Sequence, residues 1–236
     1  MFRKLASRVK RDIITRVINL ATETAGKSIL FERHRRALSS TVDYVEENMF
    51  QVDSYVSKTE LLTKAFQCAD VSGERLVCEF GVWRGDTINH IAKMTTKNIY
   101  GFDSFEGLPE RWWGVFDQGH FAVAKLPKVG KNVSLIKGWF NKTLPVFLEQ
   151  HRGLIGFLHI DSDLYSSDKT IFELLEPKLK PGAVIVFDEY FNYPGWKQGE
   201  YKAFMEFLEK TGYAFEFIGY NRNEEQVAVI LRTKTS

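Results

Sequence analysis

From residue 58 onward, short apolar runs alternate with stretches of helical periodicity. The runs are LVCEF (76–80), NIYGF (98–102), VSLIK (133–137), GFLHI (156–160) and AVIVF (183–187). Helical spacing fills most of the gaps, at 85–94, 142–151 and 165–179. The runs are continuously apolar instead of alternating, as in strands covered on both faces. Strand and helix in regular alternation predict an α/β fold, a parallel sheet with right-handed crossovers. PKLKPGA (177–183) stops one helix before a strand. AFEFIGY (214–220), NRNEE and QVAVILR (226–232) read as a hairpin, so an antiparallel pair closes the sheet. Residues 104–130 are the longest stretch without a clear element, and loops of that length often cover a site.

The start of the chain follows a different pattern. Phe2, Leu5, Val9, Ile13, Val17 and Leu20 recur at three- and four-residue steps, with Arg3, Lys4, Arg8, Lys10, Arg11 and Arg16 between them. That is a basic amphipathic helix. It can lie on a membrane surface, pack on a partner subunit, or dock on its own domain with a solvated face; membrane contact is not favoured. The chain therefore divides into a helical arm or lid over 1–57 and an α/β domain over 58–236, and a homo-oligomer is expected.

Charge sharpens this division. The 236 residues carry 32 Lys and Arg against 30 Asp and Glu, yet residues 1–36 alone are net +7. Basic excess confined to one arm, without a reader motif, argues against nucleic-acid binding. With 44% apolar and 26% charged residues, whole-chain disorder is excluded. No window reaches the ~18 apolar residues of a membrane span, and the charged start makes a poor signal peptide, so a cytoplasmic location is expected. Cys68 and Cys78 are too few for a disulfide framework or a four-thiolate zinc site; both are expected to be buried thiols.

Three segments carry chemistry. Glu79-Phe80-Gly81-Val82-Trp83-Arg84-Gly85 ends a strand and opens a helix. Its glycines admit a ligand to the backbone, and the helix start offers free N–H groups. The spacing E-x-G-x-x-x-G differs from the dinucleotide fingerprint, and the leading acid suits a cationic ligand group such as an amine. Asp103 ends the next strand, where a carboxylate can accept both hydroxyls of a ribose or cap a turn. Asp161-Ser162-Asp163 and Asp188-Glu189 follow two further strands. At that edge of a parallel sheet ligands bind. Four carboxylates there repel one another unless a cation sits among them, and oxygen donors favour Mg²⁺, Ca²⁺ or Mn²⁺. His159, inside its strand, reads as a satisfied core histidine.

These segments, with Phe102-Asp103-Ser104-Phe105-Glu106-Gly107-Leu108-Pro109, Lys137-Gly138-Trp139-Phe140 and His159-Ile160-Asp161-Ser162-Asp163-Leu164-Tyr165, resemble the macrocin O-methyltransferase (TylF-type) family. That family belongs to the class I S-adenosylmethionine-dependent methyltransferases. The resemblance runs from about residue 55 to about residue 205. It implies a Rossmann-like, doubly wound, seven-stranded sheet with an antiparallel last strand, and S-adenosyl-L-methionine as cofactor. It places Glu79, Gly81 and Gly85 at the methionine end, Asp103 at the ribose, and Ser104 and Phe105 beside the adenosine, and counts Arg84 and Asp161 among the cofactor-binding residues. Gly138, Trp139 and Phe140 would line the adenine. Asp161, Asp188 and Glu189 would bind Mg²⁺; the family carries two aspartates where this chain has Asp188-Glu189.

The reaction so implied is methyl transfer to a hydroxyl of a small polyhydroxylated or glycosylated acceptor. Asp161 and Asp163 are the catalytic pair, Asp163 as a further metal ligand or the general base. The lid is assigned to 108–130, and Tyr190, Phe191, Tyr193 and Trp196 to an apolar acceptor wall. The rivals are a metal-independent methyltransferase and a non-catalytic Rossmann-like binding protein. A nicotinamide dehydrogenase is disfavoured: the glycine spacing differs and no Tyr-x-x-x-Lys is present.

Overall fold

The computed structural model describes residues 26–112 and 115–234; the amphipathic pattern over residues 2–20 lies outside them. Eight strands form one sheet: β1 (Ser54–Tyr55), β2 (Leu76–Phe80), β3 (Ile99–Asp103), β4 (Val133–Lys137), β5 (Ile155–Ile160), β6 (Val184–Phe187), β7 (Ala214–Asn221) and β8 (Val227–Arg232). Their spatial order is β1-β7-β8-β6-β5-β2-β3-β4. β8 runs antiparallel to both neighbours, and the remaining pairs are parallel. All seven anticipated strands are present. The eighth, β1, is two residues long and adds to the edge beside β7, too short to leave a hydrophobic pattern.

The continuous apolar runs have the cause expected of them. β2, β5 and β6 are buried at every position, because helices cover both faces. One core gathers Leu144 and Phe147 of α4 (Phe140–Gln150), Ile171, Phe172 and Leu175 of α5 (Tyr165–Leu175), and Phe204 and Phe207 of α6 (Glu200–Thr211). The other gathers Leu61, Leu62, Ala65 and Phe66 of α2 (Lys58–Cys68) with Ile88 and Ile91 of α3 (Asp86–Ala92). Each fully buried Leu, Ile or Phe contributes roughly 1.5–3 kcal/mol, so the sheet is held rigidly and its loop ends carry the freedom.

α1 (Ile29–Asn48) starts at Ser28, whose hydroxyl caps the Phe31 N–H, and packs over the segment after β6. Tyr44 Oη meets Tyr190 Oη at 2.9 Å, and Trp196 Nε1 donates to Ser40 at 3.0 Å. Tyr190, Phe191 and Trp196 are consequently core residues, not the acceptor wall expected of them. Cys78 is buried on β2, but Cys68 is exposed: it ends α2, where the apolar stripe has run out. No helix among the described residues is long and apolar enough to cross a membrane.

Candidate functional site

The carboxyl ends of β2, β3, β5 and β6 open into one cavity of about 550 Å³, within the range of small-molecule sites. Its position follows from the topology, since every strand that bounds it points the same way. Gly81 makes the first turn possible at φ +88°: a Cβ there would overlap the carbonyl oxygen of Asp161 outright. Gly85 caps the start of α3 at φ +83°. The turn between them is pinned by Asp103. Its Oδ2 accepts the N–H groups of Val82 and Trp83, each at 2.8 Å, and its Oδ1 accepts Phe105 N–H at 2.6 Å.

Most of the anticipated residues line this cavity. Gly81, Arg84, Asp103, Ser104, Trp139, Phe140, Asp161, Asp163, Asp188 and Glu189 face it. Gly85, Phe105, Gly138 and Glu79 stand behind the wall. Phe105, at φ +59°, turns into the core beneath α2 and α3. Glu79 is fully buried: its Oε1 accepts Thr87 Oγ1 at 3.0 Å, and its Oε2 lies 2.9 Å from His159 Nδ1. The aromatic wall is built by Trp83, Trp112, Phe121, Trp139 and Phe140. Arg84 stacks its guanidinium 4.3 Å from the Trp83 ring. Leu108, Pro109, Trp112 and Phe121 bring residues 108–121 to the mouth, where the loop doubles back through paired Leu108–His120 and Gly119–Leu108 backbone bonds of 2.8 and 2.9 Å.

Two residues central to the rim gave no sequence signal of that role. Lys58, the first residue of α2, places Nζ 2.6 Å from Asp188 Oδ2 and 3.8 Å from Asp161 Oδ2. His159 pairs with Glu79 across the β2–β5 register and points Nε2 toward Asp188 Oδ1 at 3.6 Å, long for a hydrogen bond. It is a core histidine by burial, but satisfied at one nitrogen only. A chain thus runs from Thr87 through Glu79, His159 and Asp188 to Lys58. Lys58 lies 130 positions from Asp188, and one lysine at a helix start carries no motif.

The electrostatics divide the acids. Burial favours the neutral form of Asp188, but His159 and Lys58 outweigh it and hold its carboxyl down at about 2. Burial, reinforced by the charge on Asp188, pushes Asp163 up to about 7 and lifts Asp161 and Glu189 well above the usual carboxylate range. Burial opposes charge on His159 as well, yet Asp188 and Glu79 carry it up to about 10. Deeper still, Asp168 accepts Ser162 Oγ, and Glu200 accepts the Glu189 backbone N–H at 2.9 Å.

Two groups of ligand atoms lie close enough to share an ion: His159 with Asp161 and Asp188, and Asp161 with Asp163 and Glu189, each within 4.8 Å. Buried oxygens of Asp188 and Glu189 lack hydrogen-bond partners. A set of carboxylate oxygens with unspent acceptors fits a hard divalent cation.

Comparison with known proteins agrees with this architecture. Residues 78–190, just under half of the chain, match the family Methyltransf_24, described as a methyltransferase domain. An 8-demethyl-8-(2,3-dimethoxy-alpha-L-rhamnosyl)-tetracenomycin-C 4'-O-methyltransferase of Streptomyces olivaceus is 28% identical over 137 residues, 48% of this chain and 51% of that protein. A demethyldecarbamoylnovobiocin O-methyltransferase of Streptomyces niveus is 25% identical over 175 residues, 61% of this chain and 66% of that protein. The chain thus spans about half to two thirds of these curated relatives. The crystal structure of the calicheamicin methyltransferase CalS11 shares the fold, with a TM-score of 0.59 and 22% identity over 92% of this chain and 91% of that one.

Proposed function

We propose that the chain, whose residues 78–190 match a methyltransferase domain and whose fold is shared with the calicheamicin methyltransferase CalS11, transfers a methyl group from S-adenosylmethionine to a hydroxyl oxygen of a glycosylated small molecule. The observation that carries this reading is the cavity at the strand ends, apolar and aromatic on its walls and acidic along its floor. Acids beside a sulfonium favour binding of that cation, and Asp103 stands where a ribose is held in such sheets. The aromatic wall suits stacking on a sugar ring. The Streptomyces olivaceus relative is named for methylating a rhamnosylated compound, which supports a sugar hydroxyl as acceptor. The TylF-type resemblance of the four motifs points the same way.

In the proposed step the acceptor oxygen forms a bond to the methyl carbon, and the carbon–sulfur bond breaks with its electron pair left on sulfur. The hydroxyl proton goes to Asp163. Its carboxyl, held up at about 7, is matched to a general base working near neutrality. The aromatic residues of the mouth orient the acceptor and exclude water. Asp161, Asp188 and Glu189 would hold Mg²⁺. A bound divalent cation would lower the pKa of a coordinated hydroxyl and fix its lone pair.

The test is incubation of the full chain with S-adenosylmethionine and a panel of glycosylated and aglycone acceptors, followed by mass spectrometry. A mass gain of one methylene on glycosylated acceptors, with release of S-adenosylhomocysteine, is expected. Tight cofactor binding with no transfer to any hydroxyl would leave the non-catalytic binding protein as the better description.

A further inference from the structure

One face of α1 is spent on the domain: Ala37 and Thr41 are buried, and Ser40 and Tyr44 hold Trp196 and Tyr190. A second face is apolar and open. Phe31, Leu38 and Val42 stand in one line along the helix, at seven- and four-residue steps, and are 53%, 51% and 45% exposed. Phe50, just past the helix end, is 84% exposed. An apolar stripe of this kind marks a contact surface. We propose that its occupant is the chain's own segment 2–20, which lies outside the described residues, folded back on α1 as the first arm of an antiparallel helical hairpin. The inference is independent of the proposed reaction.

The spacing of the two stripes matches. Leu20, Ile13, Val9 and Phe2, taken backwards along the chain, recur at the same steps as Phe31, Leu38, Val42 and Met49 taken forwards. One antiparallel register therefore sets Leu20 against Phe31, Ile13 against Leu38 and Val9 against Val42, and it brings Phe2 to the end of α1, where Phe50 is exposed. Charge fixes the direction. The second half of α1 carries Asp43, Glu46 and Glu47, all exposed, and the first half carries Arg33, Arg35 and Arg36. The same register sets Lys4 against Glu47 and Arg8 against Asp43. A parallel arrangement would instead bring the basic start of the chain, with Arg3, Lys4 and Arg8, onto the three arginines. The connection also suits a reversal. Ser28 is extended, at ψ 113°, so α1 does not run straight back into the preceding segment. Residues 21–28 include Gly26 and span the roughly 2–8 residues that join neighbouring helices. So short a tether holds the segment at an effective concentration on the order of millimolar, which favours the chain's own segment over that of a second copy.

The test is disulfide trapping on the full chain carrying Cys68→Ser, because Cys68 is exposed and Cys78 is buried. Ile13→Cys with Leu38→Cys should cross-link on mild oxidation and remain a monomer on a denaturing gel, with the link located by peptide mass mapping. Ile13→Cys with Glu46→Cys lies two helical turns, about 12 Å, off that register, beyond the roughly 4.4–6.8 Å between Cα atoms that a disulfide needs. It should cross-link about tenfold more slowly. Equal rates for the two pairs, or no link in either, would overturn the proposal. A covalent dimer would give the stripe to a second copy and overturn it too. Oxidation of the matched pair in the presence of phosphatidylserine vesicles should give the same yield; loss of the link there would put segment 2–20 on the lipid surface instead. A second measurement introduces no cysteine. Leu38→Gln with Val42→Gln changes only exposed side chains, and it should speed trypsin cleavage after Arg8 and Arg16 several-fold. Cleavage at the native rate would show that the stripe does not hold the segment.

Discussion

Substituting Gly81 by alanine probes a close approach between the turn after β2 and the backbone of Asp161. The turn after β2 needs φ +88° at this residue, a conformation that costs a side-chain-bearing residue about 1–3 kcal/mol. The added Cβ would also land on the carbonyl of Asp161, whereas ordinary contact needs about 3.5 Å. That carbonyl cannot retreat freely, because the Asp161 N–H is bonded to Phe80 O at 2.8 Å and Gly81 N–H to Phe102 O at 2.9 Å. Forcing extra volume into a packed contact costs a further 1–3 kcal/mol. Gly81→Ala should therefore lose about 2–6 kcal/mol in urea unfolding at constant m-value. Gly182→Ala is the internal control. Gly182 has a similar φ of +96° but nothing within 4 Å of its added Cβ, so about 1 kcal/mol is expected. Because Asp161 belongs to the rim, S-adenosylhomocysteine affinity measured by calorimetry should fall with Gly81→Ala and hold with Gly182→Ala. If the two variants lose stability within about 0.5 kcal/mol of each other, the close approach does not constrain the site and the reasoning fails.

Other outcomes follow from the same arrangement. Asp103→Ala should weaken S-adenosylhomocysteine binding about tenfold or more by calorimetry, because it removes the acceptor of three backbone N–H groups that shape the turn; unchanged affinity would remove Asp103 from the cofactor site. Turnover should rise with pH through about 7 and level off as Asp163 ionises. Asp163→Asn should lower kcat by about 10²–10⁴-fold and flatten that profile, while cofactor affinity is retained; a full pH profile in the variant would exclude Asp163 as base. Metal-free chain should lose stability as pH rises from 5 to 9. Burial holds Asp163, Asp168 and Glu225 up at about 7, and the carboxylates around His159 hold it up at about 10. The native state then binds more protons than the unfolded chain across that window, so the slope of unfolding free energy with pH is negative. Urea midpoints across that series check it, and a midpoint that rises with pH would contradict the sign.

The sheet was legible because fully covered strands carry unbroken apolar runs, and the carboxyl ends of β2 to β6 were marked by glycine or aspartate. Seven of the eight strands could be read that way; Ser54–Tyr55, with two residues and no apolar pattern, could not. The acids of the rim were visible because they follow strands directly. Their mutual arrangement was not. Lys58 reaches Asp188 across 130 positions, and only the packing of α2 brings them together. His159 looks like any histidine in an apolar strand until the register sets it beside Glu79. Glu79 itself fits an amine ligand by type, yet spends its oxygens on Thr87 and His159. The aromatic residues after β6 illustrate the same limit: composition suggested a wall for an acceptor, and α1 claimed them for the core. Sequence marks which residues stand at an edge; the direction each side chain takes there is decided by neighbours remote in the chain.

The insertion of β8 between β6 and β7 has a consequence for biosynthesis. Val184–Phe187 is apolar and buried on both faces, and its open side is filled only by Val227–Arg232. Those residues leave the ribosome 45 positions after Phe187, roughly 2–9 s later at ~5–20 residues per second. Throughout that interval a fully hydrophobic edge stands bare in the nascent chain, a natural docking point for a chaperone and the first place where crowded expression would drive the polypeptide into inclusion bodies.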